Sequence, residues 1–95
     1  MNHDDPGPAS GKDVAIRRAQ AVKARYEAQL MRKANVVGVG IGFREWGGRL
    51  TDEVALVVNV TRKLPSSQLA PQDLIPGEIE GVPVDVREVG QISAR

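Results

Sequence analysis

The sequence predicts an α+β fold: a long N-terminal helix packed on a small, mainly antiparallel three-stranded sheet, with proline-rich helical turns before the third strand. Residues 12–34 contain neither Gly nor Pro and include six alanines among Arg, Lys, Gln and Glu, which is helix-forming material. Downstream, apolar side chains recur at every second position around Val39 and Ile41, Val54 to Val60 and Val82 to Val86, the periodicity of strands. Thirteen valines stand against one Phe, one Trp and one Tyr, a stiff, β-branched stock that suits sheets better than helical bundles.

Residues 1–11 are polar, hold two prolines and two glycines and offer nothing to bury, so they read as a flexible tail. Ser10 or Asp13 is placed to cap the helix that follows. Within residues 12–34, Ala15, Ala19, Val22, Tyr26 and Leu30 fall at spacings of four, three, four and four, making a narrow apolar stripe. Arg17, Arg18, Arg25 and Arg32 lie mostly off it, so the helix is basic and amphipathic.

Residues 35–90 form the β-rich body. In the first strand Val37, Val39, Ile41 and Phe43 alternate with Gly38, Gly40 and Gly42. Glycine inside a strand packs nothing and costs conformational entropy, so three at period two imply close approach of another backbone. The alanine stripe, from the same chain or a neighbouring one, is the expected occupant of that glycine face, and this strand is the expected centre of the sheet. Trp46-Gly47-Gly48-Arg49 reads as a hairpin turn. In the second strand, over residues 50–63, Val54, Leu56, Val58 and Val60 share one face and Ala55 and Val57 the other, which requires cover on both sides. Pro65-Ser66-Ser67-Gln68 and Pro71-Gln72-Asp73 read as single helical turns started by proline, the second stopped by Pro76. Residues 82–89 make the third strand, with Pro83 near its start, and residues 91–95 are a short tail.

Ninety-five residues suit one domain that buries only roughly 60–65% of its unfolded surface, so a partner subunit would add stability. With no cysteine, disulfides and zinc-thiolate sites are excluded. No apolar run reaches the ~18 residues of a membrane span and the N-terminus lacks a signal-peptide pattern, so the default expectation is a soluble, cytoplasmic chain. The net charge of +1 hides a partition. Residues 12–33 carry seven basic residues (Lys12, Arg17, Arg18, Lys23, Arg25, Arg32 and Lys33) against two acidic, whereas residues 34–95 carry six basic against eight acidic. A basic helix beside an acidic body suits contact between copies as well as contact with a polyanion.

Catalytic readings fail on inventory. The single histidine, His3, lies in the tail, which leaves no Ser-His-Asp or metal-histidine arrangement on the body. Gly38-Val39-Gly40-Ile41-Gly42 lacks the spacing and the following helix of a dinucleotide fingerprint. Asp52-Glu53 and Asp85 with Glu88 read as solvated surface acids rather than a hard-cation site, and Asn59-Val60-Thr61 matches a glycosylation sequon only inside a strand. No cofactor, no metal and no enzyme activity are expected. Nucleic acid contact through the helix is disfavoured by the near-neutral total charge and the lack of aromatics for base stacking.

The ordered motifs Asn-Val-Val-Gly-Val-Gly-Ile-Gly, Leu-Thr-Asp-Glu-Val-Ala-Leu-Val-Val-Asn-Val, Arg-Lys-Leu-Pro, Ile-Pro and Gly-Val-Pro-Val-Asp-Val-Arg-Glu-Val-Gly resemble the segment that precedes the catalytic domain in a group of bacterial trypsin-like peptidase proteins. The resemblance spans residues 35–90 and not the helix. It implies a folding unit that stands beside an enzyme; the catalytic residues of that family lie downstream, around a Gly-Asp-Ser-Gly-Gly motif absent here, so no peptidase role falls on any residue.

Three strands leave two open edges, and the valine faces of the second and third strands exceed what one helix can cover, so self-association would resolve both. The first expectation is therefore a non-catalytic homo-oligomeric structural protein, extending to a tube or filament, built on Gly38, Gly40, Gly42 and the alanine stripe. The alternatives are an accessory module acting in trans on a trypsin-like peptidase, and a small nucleic-acid-binding protein using Arg17, Arg18, Lys23, Arg25, Arg32 and Lys33.

Overall fold

The computed structural model describes residues 11–90; the tails at residues 1–10 and 91–95, with His3 and Ser10, lie outside the described residues. Helix α1 spans Gly11–Met31, strand β1 Val36–Trp46, β2 Arg49–Val60, β3 Glu78–Ile79 and β4 Val82–Glu88, with short 3-10 turns at Ser66–Gln68 and Pro71–Asp73. The fold is α+β. The sheet has four strands in the order β1-β2-β4-β3, and it is mixed, since β1 and β2 run antiparallel while β2 and β4 run parallel.

Two sequence expectations are corrected here. The sheet is not a three-stranded antiparallel one, because the proline-rich connection is long enough to carry the chain back to the middle of β2 before β4 begins, as parallel pairing requires. The fourth strand, β3, is only two residues and pairs antiparallel with β4, too short to leave a periodic trace. Second, β1 is an edge strand, and the strand that is central between β1 and β4 is β2, in keeping with its apolar residues on both faces.

Helix α1 begins one residue earlier than its composition suggests and ends at Met31, three residues before the last alanine. It stops because the chain must reverse into β1. Asn35 takes the left-handed conformation at φ 70, which Asn tolerates better than most residues. The Asn35 carbonyl accepts from the Thr61 amide at 2.9 Å, and the Ala34 amide donates to Asp73 at 3.0 Å instead of to a helical carbonyl.

The core lies between α1 and one face of the sheet. Ala19, Val22 and Leu30 of α1 pack with Val36, Val54, Leu56, Val58, Val60, Ile79 and Val82, flanked by Ala15, Ile16, Tyr26, Val39, Ile41, Val84 and Val86. The predicted apolar stripe of the helix is thus the buried one, but it rests on the valine and isoleucine face. Gly38, Gly40 and Gly42 pair with Asn59, Val57 and Ala55, residues of the opposite face, so the helix of the same chain does not cover the glycines. Alternation along β1 marks two unlike faces, and the larger apolar area attracts the helix. A β-bulge between Val36 and Gly38 also breaks the predicted run of four, burying Val36 and leaving Val37 exposed.

Two tight turns fix the hairpins. Gly47 and Gly48 both have positive φ, as a two-residue hairpin turn of the right twist demands. Glu80 and Gly81 do the same between β3 and β4, at φ 50 and 83.

Candidate functional site

The glycine face and outer edge of β1 lie on the side of the sheet away from α1, with residues 38–42 half-buried. Among the described residues a Cβ on Gly40 would meet nothing within 4 Å, one on Gly38 would make ordinary contact with Asn59 Nδ2 at 3.5 Å, and one on Gly42 would press on Val57 Cγ2 at 3.2 Å. Only Gly42 therefore has a packing reason inside its own chain.

Ala55 and Val57 on this face are nonetheless 0% and 6% exposed. Their cover comes from β4. Asp85 and Arg87 pair in register with Val57 and Asn59, which sets them on the glycine side of the sheet. Asp85 Oδ2 accepts from the Glu45 amide at 2.9 Å and from Arg87 Nε at 3.1 Å, and Arg87 Nη2 donates to the Phe43 carbonyl. The two side chains thus reach across β2 and tie down the far end of β1. This strap crosses the second face of β2 and caps backbone groups at Phe43 and Glu45, and among the described residues, residues 38–42 have no strand partner on their outer side. Sequence reasoning took Asp85 for a solvated acid, because its partners lie forty residues away and across a strand.

At the end of the β1–β2 hairpin, Trp46 and Leu50 are 69% and 63% exposed. The Arg44 guanidinium lies 5.0 Å from the centre of the Trp46 ring and pairs with Glu53 at 3.1 Å. Lys12 Nζ sits 5.3 Å above the Phe43 ring.

The six cations singled out on the helix do not form one free patch. Lys23 pairs with Glu27 at 3.0 Å, Lys33 Nζ donates to the Gln72 carbonyl at 2.7 Å, and Arg25 Nη1 donates to both oxygens of Glu80 at 3.0 and 2.8 Å. Among the described residues no ion pair forms at Arg17, Arg18 or Arg32. Half of the cationic set is engaged inside the chain, which reduces what the helix offers a polyanion.

Glu80 also accepts from the Tyr26 hydroxyl at 2.8 Å. That hydrogen bond, followed by those from Arg25, lowers the Glu80 pKa below the ordinary carboxylate value, and the same bond to Glu80 raises the Tyr26 phenol. The cluster fastens the β3–β4 turn to α1. Its sequence signal is the Glu80-Gly81 pair between Ile79 and Val82, which reads as a two-residue turn only once β3 is known.

No group of three or more metal-ligating side chains occurs among the described residues, and no described helix is long and apolar enough to cross a membrane. The three acids Asp52, Glu53 and Glu88 stay apart, with Glu53 on Arg44 and Glu88 accepting from the Lys63 amide at 2.9 Å.

No curated protein matches the sequence at a significant level. The family model that matches is the NARROW LEAF 1 N-terminal domain, over residues 15–89. This overturns the resemblance to the module of bacterial trypsin-like peptidase proteins, since the matching family is named for a plant protein. The match begins inside α1, so the helix belongs to the same domain as the sheet, as their shared core requires. On these grounds the chain belongs to the NARROW LEAF 1 N-terminal domain family.

Proposed function

We propose that this domain is a non-catalytic interaction module that associates with a second copy of itself through the bare edge and glycine face of β1. The observation that supports the reading is the space over Gly40, where among the described residues no atom beyond its chain neighbours stands within 4 Å of a Cβ position, on an edge strand of eleven residues. An uncovered edge of this kind is a template for another strand.

Antiparallel pairing about Gly40 sets Gly38 against Gly42 of the second copy and merges the two glycine faces. It also brings Phe43 alongside the second copy's Val37, and these residues are 38% and 42% exposed in the single chain. Five paired residues exchange about four hydrogen bonds at roughly 0.5–1.5 kcal/mol each, against an association cost of at least ~4 kcal/mol. Backbone pairing alone about breaks even, so burial of Phe43, Val37 and Trp46 decides the outcome and the dimer is weak. A two-fold β1 pair closes on itself. A tube or filament needs a second sticky edge, and the opposite edge, β3, offers two residues.

Light scattering over a concentration series, with Trp46→Ala beside the wild type, tests the reading. Mass rising with concentration in the wild type and less so in Trp46→Ala supports it. A wild type that keeps one mass throughout refutes it.

A further inference from the structure

A cavity of about 230 Å³ opens where the C-terminal end of β2 meets the proline-rich crossover. With Asn35, Ser66 and Asp73 as polar neighbours, its apolar lining is Val60 and Val86 from the sheet and Leu64, Leu69 and Ile75 from the crossover. Val60 is buried, whereas the other four are half-buried with one side open to the cleft. The volume exceeds the ~150 Å³ of an apolar cavity that accepts benzene.

Charge at the mouth is asymmetric in what it leaves free. Arg62 and Lys63 line the cleft, both are exposed, and among the described residues neither side chain has an ion pair or hydrogen bond. The two nearby acids keep their charge but turn to backbone donors, Asp73 to the Ala34 amide at 3.0 Å and Glu88 to the Lys63 amide at 2.9 Å, and among the described residues neither forms an ion pair with Arg62 or Lys63. An apolar slot with unengaged cations at its rim matches a ligand with a short apolar body and a terminal carboxylate.

We infer that this cleft binds a small apolar carboxylate of medium chain length, its tail among Leu64, Leu69, Ile75 and Val86 and its head between Arg62 and Lys63. The site is separate from the β1 edge and does not depend on self-association. A site this small and open holds such a ligand with a Kd on the order of 1 mM.

The test is a methyl and amide NMR titration of the full chain with sodium octanoate, n-octanol and octylammonium, repeated on the Arg62→Gln, Lys63→Gln double variant. Both changed residues are exposed, so the fold is kept. Octanoate is expected to shift the signals of Leu64, Leu69, Ile75 and Val86, to bind more tightly than octanol, and to lose about three- to tenfold in affinity in the variant. Octylammonium binding as well as octanoate, an affinity unchanged in the variant, shifts scattered outside the cleft, or no shift at tens of millimolar octanoate would each overturn the assignment.

Discussion

Gly40 and Gly42 sit two residues apart on one face of one strand and have opposite needs. At Gly40 an added Cβ meets no atom of the described residues within 4 Å, so valine there gains strand propensity, a benefit of up to ~1 kcal/mol. At Gly42 the added Cβ starts 3.2 Å from Val57 Cγ2, on a stiff β-branched neighbour, and overpacking of that kind costs ~1–3 kcal/mol. Urea unfolding at dilute concentration should therefore rank Gly40→Val at or above the wild type and Gly42→Val below it. Equal losses at both positions would mean that something covers Gly40. The glycine alternation was legible in the sequence, but which glycine is needed was not, because that depends on the rotamer of a residue on the partner strand.

Glu80 supplies a pH-dependent contribution with a definite sign. Its folded-state pKa lies below its ordinary value of 4.5, so the stability it adds is present above that value and is lost as pH falls through the folded one. Tyr26 works in the other direction: its pKa is raised from 10.0, so its contribution is lost only in strong alkali. Glu80→Gln should melt lower than the wild type at pH 7, and the gap should narrow as the pH falls below the ordinary value of 4.5 and through the lower folded-state pKa. A gap that stays constant across that range would assign the loss to turn geometry rather than charge.

Among the elements, α1 and the β1–β2 hairpin were readable from sequence, since helix composition and Gly47-Gly48 are local signals. The face chosen by the helix, the bulge at Val37 and the parallel course of β4 were not, because each is decided by pairing partners twenty or more residues away. The β3–β4 turn shows the limit most clearly: Glu80-Gly81 is a turn only because Ile79 finds Val82, and the two-residue strand has no periodicity of its own. Gly81 at φ 83 should resist substitution. Gly81→Ala is expected to cost about 1–2 kcal/mol by thermal or urea unfolding and to loosen the grip of Glu80 on Arg25 and Tyr26. The sheet centre should be costlier still, since Leu56 is fully buried and Leu56→Ala falls in the ~2–5 kcal/mol class of core truncations. A loss under about 1 kcal/mol at Leu56 would contradict the assigned core.

For the whole molecule, the sheet is finished on one face by α1, on the other by Asp85 and Arg87, and at one edge by the short β3 hairpin. Among the described residues the outer side of β1 has no strand partner. Sedimentation equilibrium across a wide concentration range, comparing the wild type with Gly40→Lys, tests directly whether that surface serves a second copy, because a two-fold pair about residue 40 sets the two lysines directly opposite each other. Association through β1 predicts that the wild type moves from the 10.2 kDa monomer towards twice that mass as concentration rises, while Gly40→Lys remains monomeric with an unchanged circular dichroism spectrum. A wild type that stays at the monomer mass, or a Gly40→Lys protein that dimerises as well as the wild type, would contradict it.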